Sequence, residues 1–345
     1  MRALVTEPGR AHTTRVEDVP EVRPHEGEVL VRTLEVGVCG TDREISEGVF
    51  GVAPEAEPFL VLGHEALGVV EQDGNGFTRG DLVTAIVRRS CGRCVACAED
   101  SPDSCLTGDY SERGITRLHG YARELVAEDP EQLIAIPPAL GRLGVLAEPT
   151  SICERALRHA RAIGGRQPWQ LERALVLGAG AIGLLTTYLL RLAGTEVWVA
   201  SLERESELIE ESGAHYVSTH DTNLADIGRF DLVVEAAGEA SLMARTLGLL
   251  RRSGVACLLG IDTRDQQVEI DGVVLGVETI LENRVLFGSV NAQRRDWVAA
   301  VEDLDAARQR WPDALERFVG PRVPLDRFEE AFLHVGGKAT LLLDD

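Results

Sequence analysis

Residues 173–194 read RALVLGAGAIGLLTTYLLRLAG: a short apolar run, a cluster of glycines, then an apolar-periodic stretch. The run ALVL has the length and composition of a buried strand, and the stretch after the glycines has helical period. Between them lies Gly178-Ala179-Gly180-Ala181-Ile182-Gly183, a G-x-G-x-x-G motif. In this strand-turn-helix setting the motif is the dinucleotide fingerprint, because glycines permit a tight turn and let a pyrophosphate approach the free N–H groups of the helix start. Gly178, Gly180, Ala181, Ile182 and Gly183 are therefore candidate contacts for a nicotinamide or flavin dinucleotide. The end of the next strand normally reads the ribose. Ser201 stands there, followed by Leu202, Glu203 and Arg204. Ser201 with Arg204 favours a 2′-phosphate and hence NADP, whereas Glu203 turned to the ribose favours NAD; both readings stay open.

Downstream the grammar continues. EVWVAS (196–201), the charged helix-like ERESELIEESGA (203–214), HYVS (215–218), DLVVEAAG (231–238), the helix-like SLMARTLGLLRR (241–252) and GVACLLG (254–260) alternate strand and helix. That alternation predicts βαβ units around a parallel, doubly wound sheet. Upstream the chain is β-rich: EVLVRTLEVGV (28–38), LGVVEQ (67–72) and DLVTAIV (81–87) are β-branched runs set apart by Gly, Asp, Asn and Pro. The tail from about residue 291 has a helix-like middle and then returns to β-like pieces. The fold class is thus α/β, with a β-rich domain beside a dinucleotide-binding one.

At 345 residues the chain has room for two domains. No apolar run reaches the roughly 20 residues of a membrane span, and the start MRALVTEPGR lacks the apolar stretch of a signal peptide, so a cytoplasmic location is expected. The formal net charge of −21 argues against a nucleic-acid partner, since phosphate contacts need a basic surface. Of the 35 basic residues only Lys338 is a lysine. This bias fits either a salt-adapted acidic surface or a genome composition that replaces Lys by Arg.

Four of the seven cysteines fall in CGRCVACAEDSPDSC, residues 91–105, spaced C-x2-C-x2-C-x7-C. In a reducing compartment such a cluster reads as a metal site rather than a disulfide framework. Cys91, Cys94, Cys97 and Cys105 can close an all-thiolate tetrahedron around zinc. A bacterial ferredoxin cluster would place the fourth cysteine after three residues and before Pro; here it follows seven and precedes Leu106. A closed four-thiolate site offers no open position, so it staples a loop and the chemistry lies elsewhere.

Candidates for that chemistry are VGVCGTD (36–42), LGHEALGVV (62–70) and LAEPTSI (146–152). With the cysteine loop and the late glycine fingerprint, their order resembles the zinc-dependent medium-chain alcohol dehydrogenase superfamily over nearly the whole chain. CGTDREI (39–45), FLVLGHEALGVV (59–70), VRRSCGRC (87–94), SERGI (111–115), LAEP (146–149) and GSVNAQ (288–293) are similar to the archaeal-type glucose (aldose) 1-dehydrogenases within it.

The resemblance implies a GroES-like catalytic domain over 1–153 with a structural zinc lobe at 88–108, a Rossmann domain over 154–288, and a return to the catalytic domain over 289–345. It implies a catalytic zinc held by Cys39, His64 and Glu148, with Glu65 as an alternating or neighbouring ligand. Two anionic ligands and neutral His64 balance the dication and leave one position open. Thr41 would accept the substrate proton. Glu112 and Asn291, with Glu65 and Glu148, would face the sugar, and Asn291, Gly260 and Ile261 would meet the cofactor, NADP or NAD. Animal polyol dehydrogenases of the superfamily carry a histidine five residues after the cysteine; here that residue is Glu44. The expected activity is oxidation of an aldose at C1 to the lactone, by a homo-oligomer (dimer or tetramer). The alternatives are a polyol or threonine-type dehydrogenase, and a cofactor-binding regulatory relative without turnover.

Overall fold

The computed structural model describes residues 1–203 and 206–343. They form two units: Met1–Ser151 with Asn291–Asp305 and Phe318–Asp345, and Ile152–Val290 with Ala306–Arg317. Residues 289–345 thus do not all fall with the first unit, because Ala306–Arg317 clusters with the second. Among the described residues no helix is long and apolar enough to cross a membrane.

In the first unit a seven-stranded sheet runs, in spatial order, Leu133–Ala135, Leu82–Ala85, Glu65–Val70, Val29–Gly37, Lys338–Leu342 and Val319–Pro324, with Leu125–Glu128 also on Val29–Gly37. The strand Val29–Gly37 alternates buried and half-buried positions over residues 29–34, the period-2 pattern of a sheet with one face on a core, and is buried throughout over residues 35–37. Val29, Val31, Val36, Ala66, Val70, Val83 and Leu133 fill that core. A second cluster holds Leu4, Val38, Ile45, Leu60, Leu62, Val323 and Leu341. Val38 and Leu62 are the anchors that matter for function, since each sits within two residues of a candidate metal ligand, Cys39 or His64.

The cysteine lobe is built differently. A small sheet of Arg88–Arg89, Ser111–Arg113 and Arg117–Leu118 frames a single helical turn, Val95–Ala98, and a 3-10 turn, Pro102–Ser104. Its two large apolar side chains, Val95 and Leu106, are 60% and 69% exposed. The lobe therefore has no apolar core of its own, and a metal is the natural substitute.

The second unit holds six parallel strands in the spatial order His215–Ser218, Glu196–Ser201, Arg173–Leu177, Phe230–Glu235, Leu250–Leu258, Val285–Gly288. Strand order reverses between Arg173–Leu177 and Phe230–Glu235, where doubly wound sheets bind ligands beyond the strand ends. Residues 174–177 and the whole of Phe230–Glu235 are buried, as parallel strands covered on both faces must be. Two local expectations hold only in part. Within 203–214 the described helix spans only Glu207–Glu211, and 241–252 splits into Ala240–Met243, a 3-10 turn Thr246–Leu249, and the start of the strand Leu250–Leu258. Leu250 pairs with Phe230 in the buried sheet, so tertiary pairing overrides the helical period of LLRR.

Candidate metal centre and dinucleotide site

Cys39 caps the seven-residue helix Gly40–Ser46, and its amide donates to Asp42 Oδ2 at 3.0 Å, which fixes the turn. Its thiol lies 3.2 Å from His64 Nε2. Glu65 completes a set of three whose ligand atoms all lie within 4.8 Å of one another. Zinc held by one sulfur at 2.3 Å and one nitrogen near 2.05 Å sets those two atoms about 3.6 Å apart, so the observed spacing fits with small adjustment. The other ring nitrogen, His64 Nδ1, faces Asp42 Oδ1 at 3.5 Å, an electrostatic contact rather than a good hydrogen bond. Burial pushes the His64 imidazole down, but the Cys39 and Asp42 charges more than offset this and hold it well above its usual value. A pocket whose anions draw a proton onto a buried imidazole is equally ready for a dication in its place.

Glu65 opens the strand Glu65–Val70, directly opposite Gly37. A Cβ on Gly37 would stand 2.2 Å from Glu65 Oε2, so only glycine leaves the carboxylate its place. From the strand on the far side of Gly37, Lys338 Nζ reaches both Glu65 oxygens at 2.6 Å, donating to Oε1. Both side chains are about 2–3% exposed. Burial alone would lower the Lys338 pKa, yet the Glu65 and Cys39 charges raise it above the usual value.

Glu148 lies in the first turn of the helix Ala147–Gly164 and is buried, but it stands outside the three-residue set. Its carboxyl is pushed up to about 7, first by burial and further by Glu65 and Asp42, against the opposing pull of His64 and Lys338. Cys39, Asp42, Glu65 and Glu148 thus gather four acidic groups around Lys338 and His64. Zinc fits this set of sulfur, nitrogen and carboxylate donors in chemistry as well as in spacing.

The four lobe cysteines also place their sulfurs within 4.8 Å of one another, and all are free thiols. Sulfurs 2.3 Å from a central zinc stand about 3.8 Å apart; Cys91–Cys97 measures 3.9 Å and Cys94–Cys97 3.4 Å. The Cys91 thiol is lowered to about 7, chiefly by a hydrogen bond from Thr107, while Cys97 is pushed up to about 12 by desolvation and then by Cys94. Four such sulfurs ionise together only around a cation.

The glycine loop divides its labour. Gly178 has φ +107, and a Cβ there would meet Ala237 N at 2.9 Å. At Gly183 a Cβ would lie 2.0 Å from Gly178 O, which is close helix–strand packing. Gly180, the cap of the helix Ala181–Leu192, has φ −72 and nothing within 4 Å of its added Cβ. The open space over Gly180, ringed by the half-buried Ala181 and Ile182, is the cradle a pyrophosphate would fill. Gly183→Ala is therefore expected to destabilise the second unit by about 1–3 kcal/mol, the range for overpacking. Gly180→Val should melt like wild type while raising the KM for the dinucleotide at least about tenfold. Thermal melts beside cofactor titrations separate the two, and equal behaviour of both variants would sink the division of roles.

Ser201 ends its strand and donates its hydroxyl to the Glu203 carboxylate, which that bond holds below the usual carboxylate range. Arg204 lies outside the described residues. Gly260 follows the strand Leu250–Leu258; a Cβ on it would stand 2.2 Å from Gly238 N, and the next residue, Ile261, is exposed.

Thr41 is half-buried, two residues beyond Cys39. Glu112, in the strand Ser111–Arg113, is bound by Arg88. Two residues on, a Cβ on Gly114 would come within 2.4 Å of Gly63 O, so this strand's end packs on the backbone beside His64. Asn291 adopts φ +70 and is 8% exposed; its Oδ1 accepts from the Ala292 amide, and its Nδ2 is buried without a partner. An orphaned buried donor costs free energy unless a ligand accepts from it. Sequence reasoning assigned no role to Asp42, Gly37, Lys338 or Arg88. Gly37 and Asp42 lay inside the stretch VGVCGTD and Arg88 inside VRRSCGRC, and Lys338 stood out as the one lysine.

The chain matches the alcohol dehydrogenase GroES-like domain over residues 25–138 and the glucose dehydrogenase C-terminus family over residues 141–340. It is 40% identical to a glucose 1-dehydrogenase of Methanocella arvoryzae over 342 residues, covering 96% of this chain and 95% of that one. It is 38% identical to that of Thermoproteus tenax, with 96% of each chain covered. Among solved structures, Haloferax mediterranei glucose dehydrogenase in complex with NADP, Zn and gluconolactone superposes with a TM-score of 0.91 at 34% identity, over 100% of both chains. The two zinc-type donor sets and the glycine cradle accord with these matches, and the chain belongs to the glucose dehydrogenase family of the zinc-dependent medium-chain alcohol dehydrogenases.

Proposed function

We propose that this chain oxidises an aldose of the glucose or galactose type at C1 to its lactone. The observation that carries the reading is the Cys39–His64–Glu65 cluster, half-buried at Cys39 and buried at His64 and Glu65, with its three ligand atoms in reach of one ion. When bound, zinc supplies a Lewis acid for the C1 hydroxyl and NADP or NAD supplies the hydride acceptor. Cys39 and His64 would hold the metal, with Glu65 or Glu148 as the third, carboxylate ligand. Asp42 faces His64 and would steady it, and Lys338 pairs with the Glu65 carboxylate. Thr41 Oγ1 would accept a hydrogen bond from the C1 hydroxyl and orient it, and the proton released on oxidation passes on to solvent. Gly178, Gly180 and Gly183 shape the dinucleotide cradle, and Gly260 and Ile261 border it. The NADP in the Haloferax structure supports NADP here, with Ser201 and Arg204 at the 2′-phosphate. A second reading, NAD, rests on the Glu203 carboxylate held at the strand end by Ser201.

Glu112 and the unpartnered Asn291 Nδ2 are the hydroxyl-binding groups. A site that hydrogen-bonds several hydroxyls rejects a substrate without them, because its own polar groups are then left unpaired at about 1–3 kcal/mol each. Simple alcohols should therefore be poor substrates, and Glu112→Gln should lower kcat/KM for the sugar by roughly ten- to a hundredfold with cofactor affinity unchanged. A panel of aldoses, polyols and primary alcohols with NADP and NAD, followed by absorbance of the reduced cofactor, tests this. Equal turnover of benzyl alcohol and glucose would replace the aldose reading by a general alcohol dehydrogenase.

Four closely spaced free thiols are best kept reduced in the cytoplasm, which is the proposed compartment. A homo-oligomer is also proposed. The edge strand Val285–Gly288 exposes Leu286, and Val273, Leu275, Val277, Ile280 and Leu281 lie exposed in the segment before it, an apolar set that a second copy of the chain would cover.

A further inference from the structure

We propose that Arg88 is the positioning residue of sugar recognition, and that through it the four-cysteine lobe takes part in setting substrate affinity. The proposal rests on the reading of Glu112 as a sugar ligand. Arg88 and Glu112 are direct cross-strand partners. Both Nε and Nη2 of Arg88 lie 2.9 Å from the same oxygen, Glu112 Oε1. No protein donor among the described residues reaches Oε2, so one oxygen is clamped and its twin is left for a hydroxyl. A carboxylate oxygen is acceptor-only, which suits the donors of a sugar.

The clamp is itself held from the lobe. Arg88 Nη1 donates to the Asp103 carbonyl at 2.8 Å, and the guanidinium lies 4.0 Å over the centroid of the Tyr110 ring. Arg88 stands three residues before Cys91, and Asp103 two residues before Cys105, so the segment closed by the four thiols carries one end of the anchorage. The lobe side of Arg88 borders a cavity of about 300 Å³, also lined by Ser90, Cys97, Asp103 and Gln293. Removing the arginine would leave a glutamate free to rotate, and each sugar bound would have to order it again. The planar guanidinium fork explains why the position needs arginine, since a lysine offers a single point of charge.

The test compares Arg88→Ala, Arg88→Lys, Glu112→Gln and the double variant Arg88→Ala/Glu112→Gln in the zinc-loaded enzyme. Arg88→Ala should raise the KM for glucose about tenfold, with kcat within about twofold, the KM for NADP unchanged and both zinc ions retained. Arg88→Lys should fall between it and wild type. Calorimetric titration of glucose into cofactor-free enzyme should show the same order of affinities without turnover. Because Arg88 acts through Glu112, the double variant should be no worse than the more damaged single variant. A purely structural arginine would instead lower the melting temperature, kcat and cofactor affinity together. If Arg88→Ala fails to fold, the glucose titration of Arg88→Lys decides: wild-type affinity overturns the proposal. Multiplying single effects, or a wild-type KM in Arg88→Ala beside an impaired Glu112→Gln, also overturns it while Glu112 stays a sugar ligand. If Glu112→Gln binds and oxidises glucose like wild type, the sugar reading of Glu112 falls first and the role of Arg88 with it.

Discussion

His64→Ala should lower kcat for sugar oxidation by roughly 10³- to 10⁴-fold, the equivalent of losing several kcal/mol of Lewis-acid assistance. The imidazole is the neutral member of the donor set and lies 3.2 Å from the Cys39 sulfur. Without it two anionic ligands remain, and Asp42, 2% exposed, faces a cavity instead of a ring. The variant should carry one zinc per chain where wild type carries two, since the Cys91, Cys94, Cys97 and Cys105 set is closed and separate. Mild chelation of wild type should do the same in order of time, removing activity before the lobe unfolds. Metal analysis and kcat are the measurements. A variant within tenfold of wild type would overturn the assignment of His64, and iron with a visible charge-transfer band in place of zinc would overturn that of the four-cysteine lobe.

What could be read ahead of the structure was whatever depends on neighbours in sequence. The glycine fingerprint, the thiol spacing and the turns around Cys39 and His64 are local devices, and their chemistry is written within a few residues. The strand at 196–201 coincides with the observed Glu196–Ser201 for the same reason. What could not be read depends on register. Lys338 meets Glu65 across 273 residues, and only the pairing of three strands over Gly37 brings them together. Arg88 is anonymous in VRRSCGRC until the sheet sets it opposite Glu112. The helix-like LLRR turned out to be strand because its fate was decided by Phe230, twenty residues earlier, and not by its own period.

The largest stability effect is expected at Lys338. Lys338→Met should destabilise the first unit by about 3–5 kcal/mol, because breaking a buried ion pair strands the other charge. The stranded group would be Glu65, 2% exposed and set among Cys39, Asp42 and Glu148, which add repulsion. Lys338→Arg should not rescue fully, since Nζ already lies 2.6 Å from both oxygens and a guanidinium needs more room than that gap allows. This explains why a chain with arginine at every other basic position keeps lysine here. The loss should be smaller in zinc-loaded protein than after chelation, because a nearby dication supplies part of the missing positive charge. Hydrogen exchange of the amides in Val29–Gly37, Glu65–Val70 and Lys338–Leu342 reads this sheet alone. Adding Glu65→Gln to Lys338→Met should recover most of the stability, since a neutral amide costs far less to bury than an unpaired carboxylate. Exchange rates in chelated Lys338→Met that stay within about fivefold of wild type, equivalent to less than about 1 kcal/mol, would mean that Glu65 is already relieved by some other group, and the pair would lose its structural role.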